Sequence, residues 1–111
     1  VEPAPVVVIV PMPEEAMALS QGPFAKARVR VDGSRAAVIA GRRALLVVPG
    51  MGKVRAAAAT SRTLARTRAA GILVAGLAGG LAPSLALGDV IVVERAAEHD
   101  IDLTPLHLSE Q

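Results

Sequence analysis

The 111-residue chain sets twelve Lys and Arg against ten Asp and Glu, for a formal charge of +2, and its 52% hydrophobic content is aliphatic apart from the single aromatic Phe24. That length admits one domain, residues 1–111, but is short for a doubly wound α/β fold. The absence of cysteine excludes disulfide frameworks, thiolate zinc sites and cysteine nucleophiles and fits a cytoplasmic protein, the lack of an aromatic platform or a block of like charges argues against a nucleic-acid partner, and no apolar run approaches a membrane span.

In chain order, residues 6–10 (VVVIV) form an unbroken β-branched run, the pattern of a strand buried on both faces. Pro11, Met12 and Pro13 interrupt it, and 14–20 read as a short helix with Glu14 and Glu15 in its first turn. Acidic residues there complement the helix dipole, yet a carboxylate pair directly after a buried strand also sits at the sheet edge where α/β proteins build sites. Residues 27–31 alternate small or apolar with basic side chains, Asp32-Gly33 signals a tight turn into 36–40, and a second turn at Gly41-Arg42 leads to a buried strand at 44–48. Residues 53–69 are helical. Val54, Ala57, Ala58, Ser61, Leu64 and Ala65 are expected to mark its buried face, with Arg55, Arg62 and Arg66 on a solvated one. Two further buried strands are expected at 72–75 and 90–93, with a glycine-rich loop between them.

The glycines do not make a nucleotide loop. Around Gly50-Met51-Gly52-Lys53, a phosphate-cradling P-loop would need Gly where Val47 stands and Ser or Thr where Val54 stands. A dinucleotide fingerprint would need a small residue at Arg55. His99, Asp100, Asp102 and His107 fit no standard zinc spacing, so neither metal nor cofactor is expected. Four apolar strands with one long and one short helix to cover them leave the core short of cover. Either a partner subunit supplies the second layer, or these residues are the front half of a larger α/β domain.

The ordered set VIVPMPEEAMAL, VVPGMGKVRAAAA, GLAGGLAPSLALGDVIVV and HDIDLT resembles the methylthioadenosine/S-adenosylhomocysteine nucleosidases of the purine nucleoside phosphorylase superfamily, over nearly the whole chain but only the first half of a family member. The resemblance implies a three-layer α/β sandwich with a central mixed sheet, a homodimer, a small nucleoside substrate, no cofactor and a place in purine salvage. It implies hydrolysis of the bond joining adenine to a thio-substituted ribose. By the same matching Glu15 would hold the nucleophilic water, Glu14 would be helix-start charge, and Met12 would line the pocket. Met51 would pack on the 5′ substituent, Leu77, Ala78 and Gly79 would border ribose and base, and Leu103 and Leu106 would close the neighbour's 5′ pocket across the dimer. Leu77 stands where the family usually has Ser, which makes the pocket greasier and admits a more apolar 5′ group. The ribose-gripping Met-Glu pair, the aromatic against adenine and the acid that protonates the base belong to the family's second half, so the isolated chain is expected to be silent.

Two other readings stand beside hydrolysis. A phosphorylase acting on a more apolar 5′-substituted adenosine would need arginines where this chain has Glu15 and Val74-Ala75, and a carboxylate repels phosphate. A truncated, non-catalytic paralogue is the reading from a different class.

Overall fold

The computed structural model describes residues 3–98. The chain divides into two compact units, Val1–Ala78 and Gly79–Gln111. The first unit contains β1 (Val6–Ile9), α1 (Pro13–Gln21), β2 (Arg28–Val29), β3 (Arg35–Ile39), β4 (Arg42–Val47), α2 (Lys53–Arg66) and β5 (Gly71–Val74). The five strands make one mixed sheet in the order β2-β3-β4-β1-β5. β1 runs parallel to both β4 and β5, with Val7 opposite Leu45 on one side and Ile72 on the other. β2, β3 and β4 form an antiparallel meander, Ala36 pairing with Arg28 and Leu45. This is the mixed α/β sheet expected of the first half of a three-layer sandwich.

The alternation of the strands divides the core into two faces. On one, Val8, Val10, Ala44 and Leu46 pack with Ala16 of α1 and with Phe24. On the other, Val7, Ile9 and Leu45 pack with Ala36, Val47 and Ala69. Ile9, Leu45, Leu46, Val7 and Val10 are fully buried, and each contributes on the order of 1.5–3 kcal/mol of apolar transfer. The centre of the sheet is therefore buried on both sides, as the unbroken apolar runs require.

Three expectations about burial are corrected. In α2 the shielded stripe is Ala56, Ala59, Thr60 and Thr63, while Val54, Ala57, Ala58, Ser61, Leu64 and Ala65 are exposed. The shielded side chains are alanine and threonine, with Thr60 Oγ1 donating a 2.7 Å hydrogen bond to the Ala56 carbonyl, and the stripe holding Val54 and Leu64 is left uncovered. β5 exists where expected but is exposed along its whole length, because it is an edge strand with no layer over it among the described residues. Residues 90–93 form no strand, and Val90 and Val92 are more than nine-tenths exposed. A short apolar run becomes a strand only when a ladder satisfies its backbone groups, and no described residue pairs with it.

The β2–β3 connection is held by its own side chains. Asp32 Oδ1 accepts from the Ser34 hydroxyl at 2.5 Å and from the Ser34 N–H at 3.0 Å, while Gly33 N–H donates to Arg30 O and Arg30 N–H to Ser34 O. These bonds, the Ser34 hydroxyl foremost, hold the Asp32 carboxyl below its usual value, with the Arg30 and Arg66 charges adding to the effect. A depressed folded pKa means stability that is present above the unfolded carboxylate pKa and is lost as pH falls through the folded one. Asp32→Asn is accordingly expected to lower Tm at pH 7, with the gap from the parent closing below about pH 4. Parallel melts at pH 7 and pH 3 check this, and a gap that persists at pH 3 would assign the loss to something other than the charge.

The second unit, over residues 79–98, is loop. Asp89 clasps its own turn, accepting from the Ala86 N–H at 2.8 Å through Oδ2 and returning its N–H to the Ala86 carbonyl at 3.1 Å. Leu85 packs against Gly80. Among the described residues no helix is long and apolar enough to cross a membrane.

Candidate active site

The three parallel strands β4, β1 and β5 all point the same way, so the loops that follow them leave from one edge of the sheet. The ladder continues past the strand ends: Val10 N–H donates to Val47 O and Ala75 N–H to Ile9 O, both at 3.0 Å. Those bonds bring the start of each loop into register. Pro11 and Met12 follow β1, Gly50 and Met51 follow β4, and Gly76, Leu77 and Ala78 follow β5.

α1 begins directly at this edge. Met12, with φ −109° and ψ 139°, is its N-cap, Pro13 occupies the first turn, and Ala16 N–H closes the first helical bond on Met12 O at 3.0 Å. Proline suits that position because its missing N–H would have had no helical partner and its φ is already helical. The helix turns Ala16 and Leu19 to the core. Glu15, four residues before Leu19, lies on the rim of that stripe and is half-buried, whereas Glu14 is exposed. The adjacent carboxylates thus have different surroundings.

Glu15 Oε2 is shielded from solvent and has no hydrogen-bond partner among the described residues. It lies against Gly76: a β-carbon built there would stand 2.6 Å from Oε2 and 3.4 Å from the carboxyl carbon. Only a glycine lets the chain leaving β5 come so near the carboxylate. A buried polar atom left without a partner costs roughly 1–3 kcal/mol, and more when charged. A carboxylate oxygen with no partner among the described residues, at the carboxyl edge of a parallel sheet, is free to accept a further donor.

The other expected site residues are distributed as follows. Met12 is partly buried at the head of α1, while Met51, Leu77 and Ala78 are exposed at the same sheet edge. Gly50, at φ 96°, precedes Met51 in a left-handed conformation, and the Arg55 guanidinium folds back over it, 2.9 Å from where a β-carbon would stand. Gly79 belongs to the second unit. Leu103 and Leu106, with His99, Asp100, Asp102 and His107, lie outside the described residues. No cluster of three or more His, Cys, Asp or Glu side chains suited to a metal occurs among the described residues. The contact between Gly76 and Glu15 is what sequence reading missed. Its one signal is a glycine placed directly after a β-strand, which by itself cannot name the partner.

Comparison with known proteins matches residues 5–111 to the phosphorylase superfamily. Among curated proteins, the 5′-methylthioadenosine/S-adenosylhomocysteine nucleosidase of Listeria monocytogenes serotype 4b (strain CLIP80459) is 44% identical over 66 residues, covering 60% of this chain and 28% of that protein. The enzyme of the same name from Geobacillus kaustophilus (strain HTA426) is 37% identical over 87 residues, 69% of this chain and 37% of that one. Among solved structures, the Neisseria meningitidis 5′-methylthioadenosine/S-adenosylhomocysteine nucleosidase in complex with methylthio-immucillin-A superimposes with a TM-score of 0.79 at 31% identity, covering 96% of this chain and 47% of that chain. The present chain thus spans less than half the length of each of these relatives.

Proposed function

From the premise that this chain belongs to the phosphorylase superfamily, we propose that it carries the water-activating half of an adenine nucleosidase acting on 5′-thio-substituted adenosines. The observation that carries the reading is the buried, unpartnered Oε2 of Glu15 against Gly76. As the glycosidic bond lengthens, its electron pair moves into the purine and the sugar becomes cation-like. A water then bonds to the anomeric carbon and surrenders a proton. Glu15 accepts that proton, and Oε2, already stripped of solvent and facing no donor among the described residues, binds the water with little reorganisation. Protonation of the departing base falls to residues beyond this segment.

Met12, Met51, Leu77 and Ala78 form the apolar side of the site. A leucine at position 77, exposed at the loop after β5, favours an aliphatic 5′ substituent over a polar one. The assembly is a homodimer in the cytoplasm, acting in purine salvage, and the uncovered Val54 and Leu64 stripe of α2 supports an association of that kind.

The test is adenine release from 5′-methylthioadenosine in phosphate-free buffer by a full-length protein, meaning residues 1–111 joined to the half that follows them in the relatives, with residues 1–111 alone as the comparison. Release without phosphate by the long form and silence from the short one is the expected result. An absolute requirement for phosphate would transfer the site to the phosphorylases, and no release under either condition would overturn the reading.

A further inference from the structure

The sequence disperses its basic residues, and no run of them suggests a site. The fold gathers six of them. At the sheet edge opposite Glu15, where β1, β4 and β5 begin, a cleft of about 1180 Å³ is lined by Lys26, Arg28, Arg30, Arg43, Arg66 and Arg68, contributed by the approach to β2, by β2 and the turn after it, by β4 and by the end of α2. Among the described residues no carboxylate lines it. Its floor is apolar, formed by Ala36, Ala44, Leu45 and Ala69.

Two contacts fix the walls. Arg43 Nη1 donates to the Pro3 carbonyl at 3.2 Å, tying β4 to the segment before β1, and Arg30 Nη1 reaches Thr67 Oγ1 at 3.4 Å, joining the turn after β2 to the end of α2. Asp32 sits in an adjoining hollow with Arg28, Arg30 and Arg66, its Oδ1 accepting from Ser34 and its charge acting on Arg30 and Arg66. The charged side chains lining the cleft among the described residues are thus all cations, while Asp32 in the adjoining hollow offsets part of the charge of Arg30 and Arg66.

We propose that this cleft binds a small ligand carrying several phosphates, at a site separate from the Glu15 edge. Five of the six cations are arginines, whose planar fork meets a phosphate with two parallel hydrogen bonds. Cations gathered along one cleft repel one another, so a single carboxylate or monophosphate leaves much of that repulsion in place while a di- or triphosphate relieves more of it. A nucleic-acid strand is disfavoured because no aromatic side chain lines the cleft on which a base could stack. The proposal is independent of the nucleosidase reading, since none of these residues belongs to the carboxyl edge.

Calorimetric titration of the full-length protein with inorganic tripolyphosphate tests it. Saturable binding is expected, weakened as NaCl is raised, with inorganic monophosphate at least tenfold weaker. Arg28→Ser and Arg66→Ser should each cost about tenfold in affinity, the usual weight of a charge-assisted hydrogen bond. Arg62→Ser, on α2 but outside the cleft, should leave affinity unchanged, and circular dichroism of each variant confirms the fold. Absence of saturable binding, or equal weakening by Arg62→Ser, overturns the site. A mixed-sequence oligonucleotide binding ten times more tightly than tripolyphosphate would overturn the small-ligand assignment. Adenine release measured on the same preparations reports separately on the nucleosidase.

Discussion

Glu15→Gln is expected to lower kcat of the full-length enzyme by ~10²–10⁴-fold, the usual weight of a general base, while KM changes little. Glutamine keeps the length and the packing against Gly76 and can still touch a water, but it cannot take the water's proton as oxygen bonds to the sugar. The control lies one residue away. Glu14 shares the helix turn and its dipole but is exposed, so Glu14→Gln removes only helix-end electrostatics of about 0.5 kcal/mol and should leave turnover within a factor of two or so. Steady-state kinetics on the two variants decide the matter. Equal activities, or a dead Glu14→Gln beside a live Glu15→Gln, would return the pair to a purely structural role.

Gly76→Ala is the second substitution with a large expected effect, although it deletes no functional group. A methyl at 2.6 Å from Oε2 lies inside any tolerated contact, so the carboxylate or the loop after β5 must move. The clash falls on the far end of a side chain, and Glu15 yields before the backbone does. A displacement of about 1 Å in a catalytic group costs on the order of 10²-fold in rate. kcat should therefore fall by that order, and combining Gly76→Ala with Glu15→Gln should cost scarcely more than Glu15→Gln alone, because both act through one carboxylate. Additive losses would show that Gly76 serves the site by some other route.

Legibility differed between backbone and burial. β1, the β3–β4 hairpin and α2 follow from local signals, namely β-branched runs, turn residues and alanine spacing, which act over a few residues and are written in the chain. Which stripe of α2 faces inward is not local. Val54 and Leu64 are more apolar than Ala56 and Thr63, yet Ala56 and Thr63 are the shielded ones. Residues 90–93 carry the composition of a strand, but a strand also needs a neighbour, and composition cannot supply one. Glu15 could be singled out beside Glu14 only through a family resemblance, whereas the coordinates distinguish them by exposure and by the contact with Gly76. The basic cleft was illegible because its cations are far apart along the chain and meet only through strand order.

The strand order also bears on how the protein is made. β1 is an interior strand of the sheet and among the most apolar segments, yet both its ladders are parallel and run to Ala44 and Gly71, far downstream. β2, β3 and β4, by contrast, close on near neighbours through two short turns. On a ribosome β1 therefore emerges well before either flank exists, while the meander can pair as soon as it is synthesised. Closing the long loops is the slow, entropically costly step. Through that interval a naked VVVIV segment waits in the nascent chain, an aggregation hazard of the kind that holdase chaperones shield. The same residues that anchor the finished sheet are the ones most exposed to misassembly on the way to it.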